Sequence, residues 1–206
     1  MCCENIHMAS RSEQVVVRSS LLANTGSYVQ QQDFQRDSRH RFAKVRSSRI
    51  PIFLKSSEID APARTVFAWH QSPDALKTLI PPWERVTIQQ SPASLGNNDI
   101  AILVMHIGPL KLKWVARHHD FIDRGDAGGE FTDDQVSGPF ASWVHRHSVR
   151  AIDPTRCVLE DHIEYALPVG AIGNALGGWH VRRKLTKMFD FRHEATRSAV
   201  RKMVTS

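Results

Sequence analysis

Between residues 84 and 167 the chain repeats one unit: a stretch of strand-like alternation, then a tight-turn signal. Six such stretches (84–91, 99–107, 111–122, 129–136, 140–152 and 156–167) are broken by Gly96-Asn97-Asn98, Gly108-Pro109, Arg124-Gly125 with Gly128-Gly129, Gly138-Pro139 and Asp153-Pro154. Parallel neighbours need a crossover of a dozen or more residues, and these breaks are too short for one. The six stretches therefore read as an antiparallel meander. Order is expected to begin near Ile50, where Ile52, Leu54 and Ser56 alternate with Phe53, Lys55 and Ser57 in a first strand. Two short helices follow it. Asp60-Ala61-Pro62 is read as the cap of the first, over 63–70. The second runs from Ser72-Pro73-Asp74 through Leu79 and Ile80 to a stop at Pro81-Pro82.

After a glycine-rich connection, 168–178, one long helix extends to about Lys202, with Leu176, Trp179, Leu185, Met188, Phe189, Ala195, Ala199 and Met203 near one stripe. The class is α+β: a seven-stranded antiparallel sheet, two short helices between its first and second strands, and a long amphipathic helix to cover its concave face. A cavity between sheet and helix follows naturally from that arrangement. Residues 1–48, rich in Ser, Gln and Arg and without sustained periodicity, are expected to be a disordered basic tail, leaving 49–206 as one domain.

Charge is unevenly spread. Residues 50–179 hold eleven Lys/Arg against fifteen Asp/Glu, whereas 180–206 hold eight against two. The basicity of the chain thus lies in the tail and the terminal helix, and the folded middle is mildly acidic. No nucleic-acid motif accompanies it, so nucleic acid is not an expected partner. Arg182, Arg183, Lys184 and Lys187 are read as a solvated helix face, with weak contact to a membrane surface as the sharper alternative. The three cysteines, two adjacent at Cys2 and Cys3, make no disulfide framework, and no apolar run marks a signal peptide. A cytoplasmic location is the expectation, and oligomeric state is left open.

The stretch FTDDQVSGPFASWVHRH, 131–147, carries the chemistry. On one of its strands Trp143, His145 and His147 leave the same face. On the other, Phe131, Asp133 and Gln135 do so. Centring the hairpins on Gly138-Pro139 and Asp153-Pro154 puts Asp133 opposite Trp143 or His145, and His145 opposite Asp161 or Ile163. His118 falls near Asp133. The inward face then carries a polar row, His118, Asp133, His145 and Asp161, within a wall of Trp114, Phe131, Trp143, Leu159 and Tyr165. A one-residue slip would turn a strand over. The opposite face supports the register, because Lys113, Arg117, Asp134, Arg146, Arg150, Glu160, His162 and Glu164 all fall there.

The stretches VFAWHQSPDALKTLIPPWE (66–84), WVARHHDF (114–121), FTDDQVSGPFASWVHRH (131–147), DHIEYALPVG (161–170) and LTKMFDFRH (185–193), in this element order, resemble the SRPBCC superfamily. This superfamily comprises the START, Bet v 1 and polyketide-cyclase-like helix-grip proteins, and the resemblance is to a bacterial subgroup. It implies the helix-grip (Bet v 1-like) fold and a hydrophobic-ligand cavity, adapted in some relatives to cyclase or hydrolase chemistry. A shared fold does not by itself establish an activity.

Three readings of the domain are open. The first, and leading, reading is binding of a small, largely hydrophobic molecule, lipid or polyketide-like, with one polar end. Trp114, His118, Phe131, Asp133, Gln135, Trp143, His145, His147, Asp161 and Tyr165 would be its contacts. The second is a cyclase, dehydratase or hydrolase with His145 as general base and Asp133 or Asp161 as its orienter. A third reading makes the domain an interaction module working through its basic terminal helix. A self-satisfied buried network is the bland alternative. No cofactor is expected. Metal ranks last, because His145-x-His147 supplies two ligands and spacing fixes no third. His70, at the end of the first helix, is read as packed or capping.

Overall fold

A computed structural model describes residues 50–205 apart from 93, 94 and 169. The expected tail, 1–48, lies outside the described residues, as does the side chain of Leu176. The elements are β1 (Ile52–Ile59), α1 (Ala63–His70), α2 (Ala75–Thr78), β2 (Val86–Gln90), β3 (Ile100–Ile107), β4 (Leu110–Asp123), β5 (Gly128–Ser137), β6 (Ser142–Asp153), β7 (Arg156–Ala166) and α3 (Gly170–Thr205). The strands form one antiparallel sheet in the order β1-β7-β6-β5-β4-β3-β2. β2 to β7 are the expected meander, and β1 closes back beside β7. This is the helix-grip architecture.

Two local expectations need correction. Pro62, not Asp60, is the N-cap of α1, and no side chain caps it. Pro62 stands outside the helix at ψ 139° while its carbonyl accepts the first helical N–H, from Val66 at 3.2 Å, and its ring offers no acceptor for the N–H groups that follow. α2 ends at Thr78, two residues before Ile80, because Pro81 and Pro82 prevent its continuation.

α1 packs against the start of β5, where a backbone without side chains is required. A Cβ on Gly129 would lie 2.4 Å from the Phe67 ring, and one on Gly128, at φ +101°, 2.1 Å from the Val149 carbonyl oxygen. Around this junction Ile59, Val66, Phe67, Phe131, Val149, Cys157, Leu159 and Val200 form one apolar cluster. A second cluster, Phe53, Trp143, Ile163, Tyr165, Leu167, Leu185 and Phe189, fills the space toward the start of α3. Burying each of the larger side chains contributes about 1.5–3 kcal/mol.

Among the described side chains of α3, those buried against the sheet are Leu185, Phe189, His193, Thr196 and Val200, spaced four, four, three and four apart along one face. The expected stripe is therefore rotated. Trp179 is 71% and Met203 54% exposed, and two polar residues occupy core positions. No helix among the described residues is long and apolar enough to cross a membrane.

Candidate functional site

The register resolves the alternatives left open by the turns. His118 pairs with Asp133, Asp133 with His145, and Phe131 with His147. Across the next ladder Trp143 pairs with Tyr165, His145 with Ile163, and His147 with Asp161. The period-2 pleat therefore delivers His118, Asp133, His145, His147 and Asp161 to one concave patch. α3 adds His193 from above. The patch lies between the two apolar clusters, against the middle of the helix.

Asp161 is its hub. His145 Nε2 donates to Asp161 Oδ1 at 2.8 Å and His193 Nε2 to Asp161 Oδ2 at 2.7 Å, while His147 Nδ1 lies 2.9 Å from Oδ1. Asp133 is the second acceptor. His147 Nε2 donates to its Oδ2 at 2.9 Å, and His145 Nδ1 stands 3.3 Å from the same oxygen. The two imidazoles lie side by side with centroids 3.7 Å apart, and His147 stacks on Phe131 at 4.3 Å. Asp161 is 4% and His193 1% exposed, so the carboxylates are held by imidazoles with little help from water.

Burial alone would raise both carboxyls, but the facing imidazoles outweigh it. His145 and His147 hold Asp133 below the usual carboxylate range; His145, His147 and His193 do the same for Asp161. Burial would lower His147, yet hydrogen bonds to Asp133 and Asp161 raise it to about 9. Its two nitrogens both face carboxylate oxygens, so both carry protons and the ring is a cation. His70 shows the opposite balance. Burial drives it down to about 4, although its Nδ1 donates to the Val66 carbonyl at 2.8 Å. Burial also lowers His118.

Among the described residues two buried polar atoms at this site have no partner, Trp143 Nε1 on the sheet and His193 Nδ1 on α3, whereas the buried His118 ring has the Asp99 backbone beside it. Buried groups of this kind are normally satisfied, so each of the two unpartnered atoms is an open position for a ligand or a water. A cavity lies beside the cluster, bounded by His70, Leu79, His147, Leu159, Asp161, Arg192, His193 and Thr196. A water centre ranges over about 10 Å³ there, which is room for one water molecule. On the other side Trp114, Phe140 and Trp143 form a continuous aromatic wall, their centroids 4.9–5.7 Å apart, with Tyr165 next to it.

Most of the sequence-predicted contacts converge here. Trp114, His118, Phe131, Asp133, Trp143, His145, His147, Asp161 and Tyr165 all face the concave side, buried or partly buried. Gln135 has a different use: its amide donates to the Phe140 carbonyl at 2.8 Å and accepts from the Phe140 N–H at 3.3 Å, clamping the β5–β6 tip. His145 is poorly placed as a base, because carboxylate oxygens face both its nitrogens. Cys157 is buried and its thiol is pushed up to about 11, which removes it as a nucleophile.

His193 is the residue that reading the strands missed. Its signal is helical: it lies four residues after Phe189 and seven before Val200, on the core stripe. His70 is packed as expected, but it also borders the cavity.

The family model for polyketide cyclase / dehydrase and lipid transport matches residues 59–191, well over half of the chain. The chain belongs to this family. Among solved structures, it is similar to norcoclaurine synthase from Thalictrum flavum, 12% identical with a TM-score of 0.59 over 77% of this chain and 99% of that one. It is similar also to a START superfamily protein from Mycobacterium smegmatis, 13% identical with a TM-score of 0.53, covering 74% and 98% of the two chains. The ZhuI aromatase/cyclase from Streptomyces sp. R1128 is 16% identical at a TM-score of 0.50, covering 73% and 91%. At these identities the likeness shows the helix-grip fold alone; it is the family match over residues 59–191 that sets the chain within the SRPBCC superfamily. No curated protein matches it in sequence.

Proposed function

We propose that the protein binds a small, largely apolar molecule, lipid or polyketide-like, between the sheet and α3, with its one polar end at the His/Asp cluster. The observation that carries this reading is the Trp143 indole. Its ring belongs to the aromatic wall, its centroid stands 6.1 Å from that of His145, and its buried N–H has no acceptor. An apolar body along Trp114, Phe140 and Tyr165 would present a polar atom to that N–H. Beside the cluster there is room for one water, so a larger guest requires side chains of the wall to shift.

The test is a calorimetric titration with 2-naphthol, an aromatic bicycle with one hydroxyl, against naphthalene. The expected result is that 2-naphthol binds with a 1:1 stoichiometry and naphthalene about tenfold more weakly, the difference one good hydrogen bond makes. Trp143→Phe should narrow that difference. Equal affinities in wild type, or no binding of either, would contradict the reading.

A second reading is favoured by His193. Its Nε2 donates to Asp161 while its Nδ1 is unpaired, the arrangement of an oriented general base. Cyclase-type chemistry in this cavity would therefore use His193 with Asp161 as orienter, in place of His145. Loss of turnover in His193→Gln with 2-naphthol affinity unchanged would support that role.

A further inference from the structure

The pair His145 and His147 wanted a third ligand, and the register supplies it. Asp133 Oδ2 lies 3.3 Å from His145 Nδ1 and 2.9 Å from His147 Nε2. One ligating atom from each of the three residues falls within 4.8 Å of the other two. Around a tetrahedral ion with bonds of 2.0–2.1 Å, neighbouring donors stand about 3.3 Å apart, so little movement separates the cluster from a metal site. The nitrogens that would not ligate are also arranged for the purpose. His145 Nε2 and His147 Nδ1 both point at Asp161 Oδ1, at 2.8 and 2.9 Å, and His193 anchors the other oxygen of that carboxylate. A carboxylate that accepts from the far nitrogen of each ligating imidazole fixes its tautomer and strengthens it as a donor.

We propose that Asp133, His145 and His147 form a binding site for one divalent first-row transition metal, Zn²⁺ or Fe²⁺, with Asp161 as the outer carboxylate that orients both histidines. Two imidazoles and one carboxylate are the donor set such ions take, and three protein ligands leave at least one position for water or for a polar ligand atom. Entry of the ion displaces to solvent the proton carried by His147 Nε2. Asp133 and His147, partly exposed, give it a way in, whereas His145 is buried. The proposal needs no organic ligand, so its failure leaves the binding reading above standing, and the converse holds as well.

The test uses the full chain, stripped with a chelator and titrated with Co²⁺ and Zn²⁺. One equivalent of Co²⁺ should give visible d–d absorption, and Zn²⁺ should displace it. His147→Gln and Asp133→Asn should each lower affinity at least a hundredfold, and Asp161→Asn by roughly 10–100-fold with the stoichiometry kept. His119→Gln, on the outer face, should change nothing. X-ray absorption of the zinc-loaded wild type needs no variant to fold, and should show only nitrogen and oxygen neighbours at about 2.0–2.1 Å. No binding of either ion, affinity unchanged in both His147→Gln and Asp133→Asn, or a sulfur neighbour at about 2.3 Å would overturn the proposal.

Discussion

Asp133 and Asp134 are neighbours in sequence and stand on opposite faces of β5, and between them they show what the sheet does with charge. Asp134 faces out, where Arg117 meets it with Nη2 at 2.8 Å and Nε at 3.2 Å in an exposed two-point pair. Asp133 faces in, where two imidazoles surround it under a helix. The chemistry of each contact is similar, but the surroundings are not. Outside, water screens the pair and replaces it cheaply, so it is worth about 0–1 kcal/mol. Inside, removing one partner strands the others in a poorly solvated space, and the cost reaches about 3–5 kcal/mol. A chain whose ordinary charge pairs work well at the surface holds five histidines and two aspartates at or beside its centre. Such a concentration is characteristic of a site more than of a core.

That contrast is open to attack at several points. Asp161→Asn should show the largest effect, about 3–5 kcal/mol in urea unfolding, because His145, His147 and His193 all depend on that carboxylate. A loss below 1 kcal/mol would mean that the inner cluster behaves like the outer pairs.

Next comes the pH dependence assigned to His70, whose folded-state value is lowered from 6.5 to about 4 by burial. A histidine depressed in the folded state contributes stability that is present above 6.5 and lost as pH falls toward 4. Wild type should therefore lose roughly 2–3 kcal/mol over that window relative to His70→Gln, as followed by urea unfolding in metal-free buffer at several pH values. Parallel curves for the two proteins would remove His70 from the account. Asp134→Asn should be the smallest change, about 0–1 kcal/mol, and a larger one would erase the distinction between the faces.

Much of this was legible in the sequence, and the boundary has a physical cause. Strand period and turn chemistry are local, so the meander and the inward residues of β4 to β7 follow from spacing, which puts His118 no closer than near Asp133; the register shifts in β4 that make them a pair belong to the formed ladder. Each turn left two registers open, and only the formed ladder chooses His145 for Asp133 and Ile163 for His145. What spacing does not carry is the rotation of α3 over the sheet. A stripe drawn through apolar residues alone included Trp179 and Met203, which are exposed, and passed over His193 and Thr196, which are buried. The partner of His193 lies 32 positions earlier, on β7. Similarly, Gln135 shares the inward face by period, but the hairpin tip claims both ends of its amide.

The central claim is that the concave face receives a ligand at the junction of aromatic wall and polar cluster. The chain has five tryptophans, and their indole N–H groups report on that claim separately in a ¹H–¹⁵N correlation spectrum. On saturation with 2-naphthol, the Trp143 signal, assigned by its absence in Trp143→Phe, should move downfield as its unpaired N–H gains an acceptor. Trp83 and Trp179, 43% and 71% exposed, should stay in place. A spectrum in which the exposed indoles shift and Trp143 does not would contradict the account.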